Sequence, residues 1–186
     1  MRKALQFLSL FLTATLLFSC GKKDDGASPN NQGDATWSMG TYVYARGASS
    51  QSSQANTNGG IITAIATTTV GSGGNYGAFS GSALTMTFYS NLGEGKYTLA
   101  PTEVVVANPG ARFINIDCTI GTAVNTGAVL YSLAASSGVT ADVTKDSNGK
   151  FHVTVSTPVT LTKKIVVGGG IADAKGTYDL TIKNAY

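Results

Sequence analysis

Residues 139–156 have the sequence VTADVTKDSNGKFHVTVS, in which two alternating runs flank a short polar segment. Apolar side chains occupy every second position in residues 139–143, and again in residues 151–155. A period of two places one face of a β-strand in a core and the other face in water. Between the runs, Asn148-Gly149 tolerates the positive φ angles of a tight turn. The stretch therefore predicts a β-hairpin.

Alternation of the same kind extends to both sides of this hairpin. It is found in residues 84–89, 112–120, 159–167 and 178–183. After residue 35, no window shows an apolar stripe of helical length with a period of 3.6 residues. We therefore predict an all-β domain, an antiparallel β-sandwich of about nine or ten strands, with a small β-barrel as the alternative.

Two long polar segments interrupt the alternation. Residues 46–60 are rich in Ser, Gln and Asn, and residues 71–82 are rich in Gly and Ser. We predict that both segments are loops, and loops of this length are either mobile or functional.

The first twenty residues have the composition of an export signal. A basic start, Met1-Arg2-Lys3, is followed by an uncharged run rich in Leu and Phe over residues 4–18. This is the pattern of a secretory signal peptide, and the run is shorter than the roughly 20 residues that span a bilayer. Leu17-Phe18-Ser19-Cys20 resembles the bacterial lipobox, although Phe18 replaces a residue that is usually small. The resemblance implies cleavage before Cys20 and lipid on its thiol, and a plain signal peptide is the alternative.

The residues after Cys20 bear on location. Gly21-Lys22-Lys23-Asp24-Asp25 resembles the charged tag that directs lipoproteins to the cell surface in the Bacteroidota; a charged start to a linker is the alternative. Gly21 is not Asp, so the inner-membrane retention signal of enteric bacteria is missing. The resemblance implies an outer-membrane protein that faces the cell exterior, with the periplasmic face as the alternative. We expect residues 20–35 to form a flexible tether and residues 36–186 a single all-β domain.

The net charge of the mature chain is close to neutral. Removal of residues 1–19 takes away Arg2 and Lys3 from the 13 basic residues, which leaves 11 basic against 10 acidic residues. No basic field then remains to attract nucleic acid, so we do not expect a nucleic-acid partner. The rest of the 186-residue chain is long enough for one domain with its own core.

Few residues qualify for catalysis or metal binding. His152 is the single histidine and lies on the polar side of its strand, so we expect it to face solvent without a catalytic partner. A zinc site rich in His or Cys is excluded by number. Asp146 and Asn148-Gly149 suggest a calcium loop, but Val155 falls where the loop requires a bidentate Glu. We predict no catalytic residue, no metal and no cofactor, with an unrecognised hydrolase as the exception.

Cysteine use gives no sign of a disulfide framework. Because Cys20 is assigned to lipid, Cys118 has no partner. Its position alternates in step with Ile114, Ile116 and Ile120, the apolar side of one predicted strand. We therefore expect a buried, inert thiol, and a reactive nucleophile is the alternative.

Aromatic residues are the remaining candidates for ligand binding. Those that offer a stacking surface for a sugar are Trp37, Tyr42, Tyr44, Tyr76, Phe79 and Tyr89. Core packing is the alternative, because aromatic residues are also favoured in strands. Tyr76 and Phe79 lie in the polar segment 71–82, where burial is not implied, so they are the candidate ligand-binding residues.

Several of these features occur together in one known group. The lipobox with its charged tag, the opening Thr36-Trp37, the strand entry at residues 95–99, the Asn148-Gly149 turn and the last strand at residues 178–183 resemble the small, uncharacterised β-rich lipoproteins of the Bacteroidota. The resemblance implies a location and no particular activity. The functional hypothesis is a non-catalytic, surface-exposed module that binds a glycan or a protein, and the alternative is a lipocalin-like carrier of a small apolar ligand.

Overall fold

The computed structural model describes residues 36–40, 42–69, 82–122, 127–171 and 174–186. The strands in these residues are β1 (Thr36–Met39), β2 (Tyr42–Ala55), β3 (Ile61–Thr69), β4 (Ala83–Tyr89), β5 (Gly95–Leu99), β6 (Phe113–Thr122), β7 (Gly127–Ser132), β8 (Thr140–Lys145), β9 (Phe151–Val167) and β10 (Thr177–Ile182). One short helix, α1 (Thr102–Ala107), and a 3-10 turn, Ser90–Leu92, accompany them. The prediction of an all-β domain is confirmed.

The ten strands form one sheet that folds over on itself. From β10 the antiparallel order runs through β1, β2, β3 and β4 to β6, then through β7 to β9, which pairs with β10 again. β5 and β8 occupy the space between β6 and β9, and β5 pairs in parallel with β6. The inner faces of the sheet therefore pack across one common core, in the sandwich-like arrangement that the sequence predicts.

Alternate residues of the apolar strands fill this core. Leu84 and Met86 of β4 and Ile114 and Ile116 of β6 have no exposed surface. Each large apolar side chain buried in this way contributes about 1.5–3 kcal/mol to folding. The alternation in the sequence therefore marks the inner face correctly in these strands.

The hairpin of β8 and β9 is confirmed, and its turn is fixed by a carboxylate. Asp146 Oδ1 accepts hydrogen bonds from the backbone N–H groups of Asn148 (2.9 Å) and Lys150 (2.8 Å). Gly149 adopts a φ of 79°, as the Asn-Gly signal predicts. Beyond the turn, β9 continues to Val167. Pro158 lies where the pairing of β9 with β10 becomes irregular, and the N–H that proline lacks is tolerated at such a position.

The prediction of a loop over residues 46–60 is wrong for most of its length. β2 continues to Ala55, and the turn to β3 occupies residues 56–60. The hydroxyls of Ser49 and Thr67 lie 3.1 Å apart, and those of Ser53 and Thr63 lie 2.7 Å apart. Because polar side chains take the inner positions here, the strand carries no apolar alternation to be recognised.

Candidate functional site

A shallow groove opens where β2 departs from regular pairing. Arg46, Gly47, Ser49 and Tyr186 line it, and its volume is about 260 Å³. The register between β2 and β3 shifts between Arg46 and Ser49. Irregularities of this kind redirect side chains, and they are frequent next to functional sites.

Tyr186 lines one side of the groove, and several contacts hold its segment in place. The N–H of Tyr186 donates to Asn184 Oδ1 at 3.2 Å, and His152 Nδ1 donates to the Tyr186 carbonyl oxygen at 2.8 Å. The rings of His152 and Tyr186 meet edge to face, with centroids 5.6 Å apart. The fully buried Ala185 accepts a hydrogen bond from the hydroxyl of Thr67 through its carbonyl oxygen. The segment that carries Tyr186 is therefore fixed to both β3 and β9.

His152 is less exposed and better partnered than its sequence position predicts. Its side chain is 25% exposed, and Nε2 lies 3.4 Å from Asp146 Oδ2. Nδ1 also lies 3.2 Å from Asn184 Oδ1. The expectation that His152 faces solvent holds only in part, because the turn brings Asp146 beside it and residues 184–186 cover its other side.

These contacts assign His152 a positioning role. The pKa of Asp146 is lowered, chiefly by the N–H of Lys150, with smaller contributions from His152 and Asn148. Among the described residues, the hydrogen-bonding contacts of His152 are a carboxylate, an amide and a carbonyl. They orient the ring, and among the described residues none of these contacts is made by a hydroxyl or a thiol.

The groove also contains an arginine without a partner. Arg46 is exposed, and its guanidinium makes no hydrogen bond or ion pair with the residues that the structure describes. Arg112 differs, because it donates to the carbonyl oxygens of Glu94 (2.5 Å) and Leu92 (2.6 Å) and lies over the ring of Tyr97. Arg112 thus holds a turn together, whereas the donors of Arg46 are available to a ligand.

Cys20, Tyr76 and Phe79 lie outside the described residues. The described residues on either side of the segment that contains Tyr76 and Phe79 are joined, since the N–H of Thr69 donates to the carbonyl oxygen of Ser82 at 2.9 Å.

The other aromatic candidates belong to the core. Trp37 and Tyr44 are buried and stack on each other, with ring centroids 5.1 Å apart. Tyr89 is also buried, and the half-buried Tyr42 packs edge to face against Tyr178. Core packing, the alternative to a sugar-stacking surface, is therefore the correct interpretation for these four residues.

Cys118 is buried as the alternation predicts. Burial raises the pKa of its thiol to about 12. The thiol is therefore protonated at neutral pH, whereas a cysteine nucleophile reacts as the thiolate.

The neighbouring Asp117 is a feature that sequence reasoning missed. It lies on the opposite face of β6 from Cys118, yet its Oδ1 is buried and has no hydrogen-bond partner in the described part of the chain. Burial raises the pKa of this carboxyl, and the nearby polar side chains of Ser132 and Asn115 oppose the rise. Alternation alone places Asp117 in water, because it cannot show that neighbouring strands shield the outer face.

Within the ranges that the structure describes, no group of three or more His, Cys, Asp or Glu residues is placed to hold a metal ion. None of the described helices has both the length and the hydrophobicity to cross a membrane. No protein-family model, curated protein or solved structure matches the chain.

Proposed function

We propose that the protein is a non-catalytic binding module that presents its groove to a glycan or a protein outside the cell. Lipid on Cys20 anchors it to the outer membrane, and the Lys22-Lys23-Asp24-Asp25 tag directs it to the cell surface. The export signal, the lipobox and this tag support the location.

The groove beside Tyr186 is the observation that carries the binding role. It brings the aromatic residue Tyr186 and the unpaired guanidinium of Arg46 to one shallow groove, so apolar and polar groups are both available to a ligand. The contacts of His152 and Thr67 fix the segment that carries Tyr186. A site supported in this way needs little ordering when a ligand binds, which favours affinity.

The carrier alternative is less well supported by the same structure. A carrier for a small apolar ligand needs an interior space, commonly of about 300 to 1,000 Å³. The interior positions of the described strands are instead occupied by large, fully buried side chains, among them Trp37, Tyr44, Tyr97, Tyr131 and Phe88. The surface groove is therefore the better candidate for a ligand site.

A glycan array tests this proposal, with the mature lipoprotein in detergent micelles as the probe. We expect the wild type to bind a subset of glycans and Tyr186→Ala to lose at least tenfold in signal. Ser52→Ala, an exposed substitution on the same strand as Arg46, serves as the control and should bind like the wild type.

Two further variants compare the groove with the segment singled out from the sequence. If Tyr76→Ala and Phe79→Ala lose binding while Tyr186→Ala does not, the ligand binds at residues 71–82 and not in the groove. Binding that survives in all three variants would refute both placements.

A further inference from the structure

The hydrogen-bonding capacity of the groove can be derived atom by atom. Thr67 donates its single hydroxyl proton to the carbonyl oxygen of Ala185. The hydroxyl of Ser49 lies 3.1 Å from that of Thr67, so Ser49 must donate and Thr67 must accept. The proton of Ser49 is then used within the protein, and toward the groove its oxygen acts as an acceptor alone.

Arg46 presents the opposite capacity. A guanidinium carries five N–H donors in a planar fork and no acceptor, and this fork matches a carboxylate in a two-bond pair. Among the described residues that line the groove, Arg46 supplies the single charged side chain. The groove therefore places a positively charged donor and a neutral acceptor within one small space.

We infer that the groove binds a sugar that carries a carboxylate, such as a hexuronate. The carboxylate pairs with Arg46, a sugar hydroxyl donates to Ser49, and the C–H face of the ring packs on Tyr186. This inference rests on the proposed function and names the class of ligand for the same site.

Two observations favour an acidic sugar over a simple anion. A phosphate ion has no apolar face, so it leaves the side chain of Tyr186 without an apolar partner. The volume of about 260 Å³ is slightly below the range of roughly 300 to 1,000 Å³ for drug-sized ligands. The groove thus suits a single terminal sugar residue.

The inference is tested by titrating the mature lipoprotein, in detergent micelles, with methyl β-D-glucuronide, methyl β-D-glucoside and inorganic phosphate, followed by ligand-observed NMR. We expect the wild type to bind the glucuronide at least tenfold more tightly than either of the other two compounds. Added salt should weaken this preference, because the groove is exposed and its charge is screened.

Three variants test whether the preference for glucuronide over glucoside depends on Arg46. Arg46→Gln should bind glucuronide and glucoside equally, and Arg46→Lys should keep part of the preference, because it retains the charge and loses the fork. Lys175→Gln removes one exposed positive charge elsewhere and should behave like the wild type. The melting temperature of each variant is measured as a control and should match that of the wild type, which indicates that the fold is unchanged.

The outcomes separate this inference from the proposed function. Equal affinity of the wild type for glucuronide and glucoside overturns the carboxylate preference but leaves glycan binding in place. Equal affinity for phosphate and glucuronide overturns the role of the sugar ring. If none of the three compounds binds, the inference fails; the proposed function fails with it only if the glycan array also shows no binding that depends on Tyr186.

Discussion

Replacement of Gln51 by alanine should destabilise the domain by about 3–5 kcal/mol. Gln51 lies on the inner side of β2, and its amide pairs with the backbone of Phe151 at the start of β9. Its Oε1 accepts from the N–H of Phe151 at 3.0 Å, and its Nε2 donates to the carbonyl oxygen of Phe151. One side chain thus links two strands that are not neighbours in the sheet.

The expected loss of stability in Gln51→Ala follows from these two hydrogen bonds. A net contribution of about 1 kcal/mol for each gives roughly 2 kcal/mol, and a buried backbone group that is left unsatisfied adds about 1–3 kcal/mol. Phe151 is buried, so water does not readily replace the lost amide. The total is well above the change in stability that most surface substitutions cause, which is within about 0.5 kcal/mol.

Urea denaturation of both Gln51→Ala and the exposed neighbour Ser52→Ala measures this difference. Gln51→Glu adds a second check, since a charged carboxylate cannot donate to the Phe151 carbonyl, whereas a protonated one can. That variant should therefore be closer to the wild type at pH 4 than at pH 7. A Gln51→Ala variant within 0.5 kcal/mol of Ser52→Ala would show that the two bonds do not stabilise the domain.

Two further predictions concern β6. Because burial raises the pKa of Asp117, the folded state favours its neutral form, so its contribution to stability is greatest below the ordinary carboxyl pKa and declines as the pH rises toward the raised value. Asp117→Asn should consequently be more stable than the wild type by about 1 kcal/mol at pH 7, and this gain should shrink toward pH 4. Thermal melts of both proteins at both pH values measure the difference in stability. A gain that does not change with pH would contradict the reasoning. Cys118 should resist maleimide in the native protein and react fully in denaturant, because its thiol is buried with a pKa near 12; rapid native modification, measured by mass spectrometry, would show that the strand opens.

Much of the fold was predictable because burial imposes a period of two on apolar residues. The hairpin at residues 139–156, the strand that carries Cys118 and the last strand all show this period and all form as predicted. β2 was missed because hydroxyl and amide groups occupy its inner face, where Gln51 and Ser49 bond to distant parts of the chain. Such a strand is stabilised by specific partners, and these are not visible in a local pattern.

The groove was missed for a related reason. Tyr186 contacts His152, and its neighbour Ala185 accepts a hydrogen bond from Thr67. These partners are far apart in sequence, so no local motif predicts the contacts. A weak signal did exist at Gly47, because a glycine inside a strand often marks a bulge. This signal applies only within a strand, and the sequence predicts a loop over residues 46–60, so the bulge is not predicted.

Metabolic labelling with an alkyne analogue of a fatty acid decides whether Cys20 carries lipid. Cells that express the wild type, Cys20→Ser or Cys118→Ala are grown with the analogue, and the protein is isolated and coupled to a fluorophore. We expect label on the wild type and on Cys118→Ala, which keeps Cys20, and none on Cys20→Ser. A wild type without label, or equal label on Cys20→Ser, would contradict the lipid anchor and the location that depends on it.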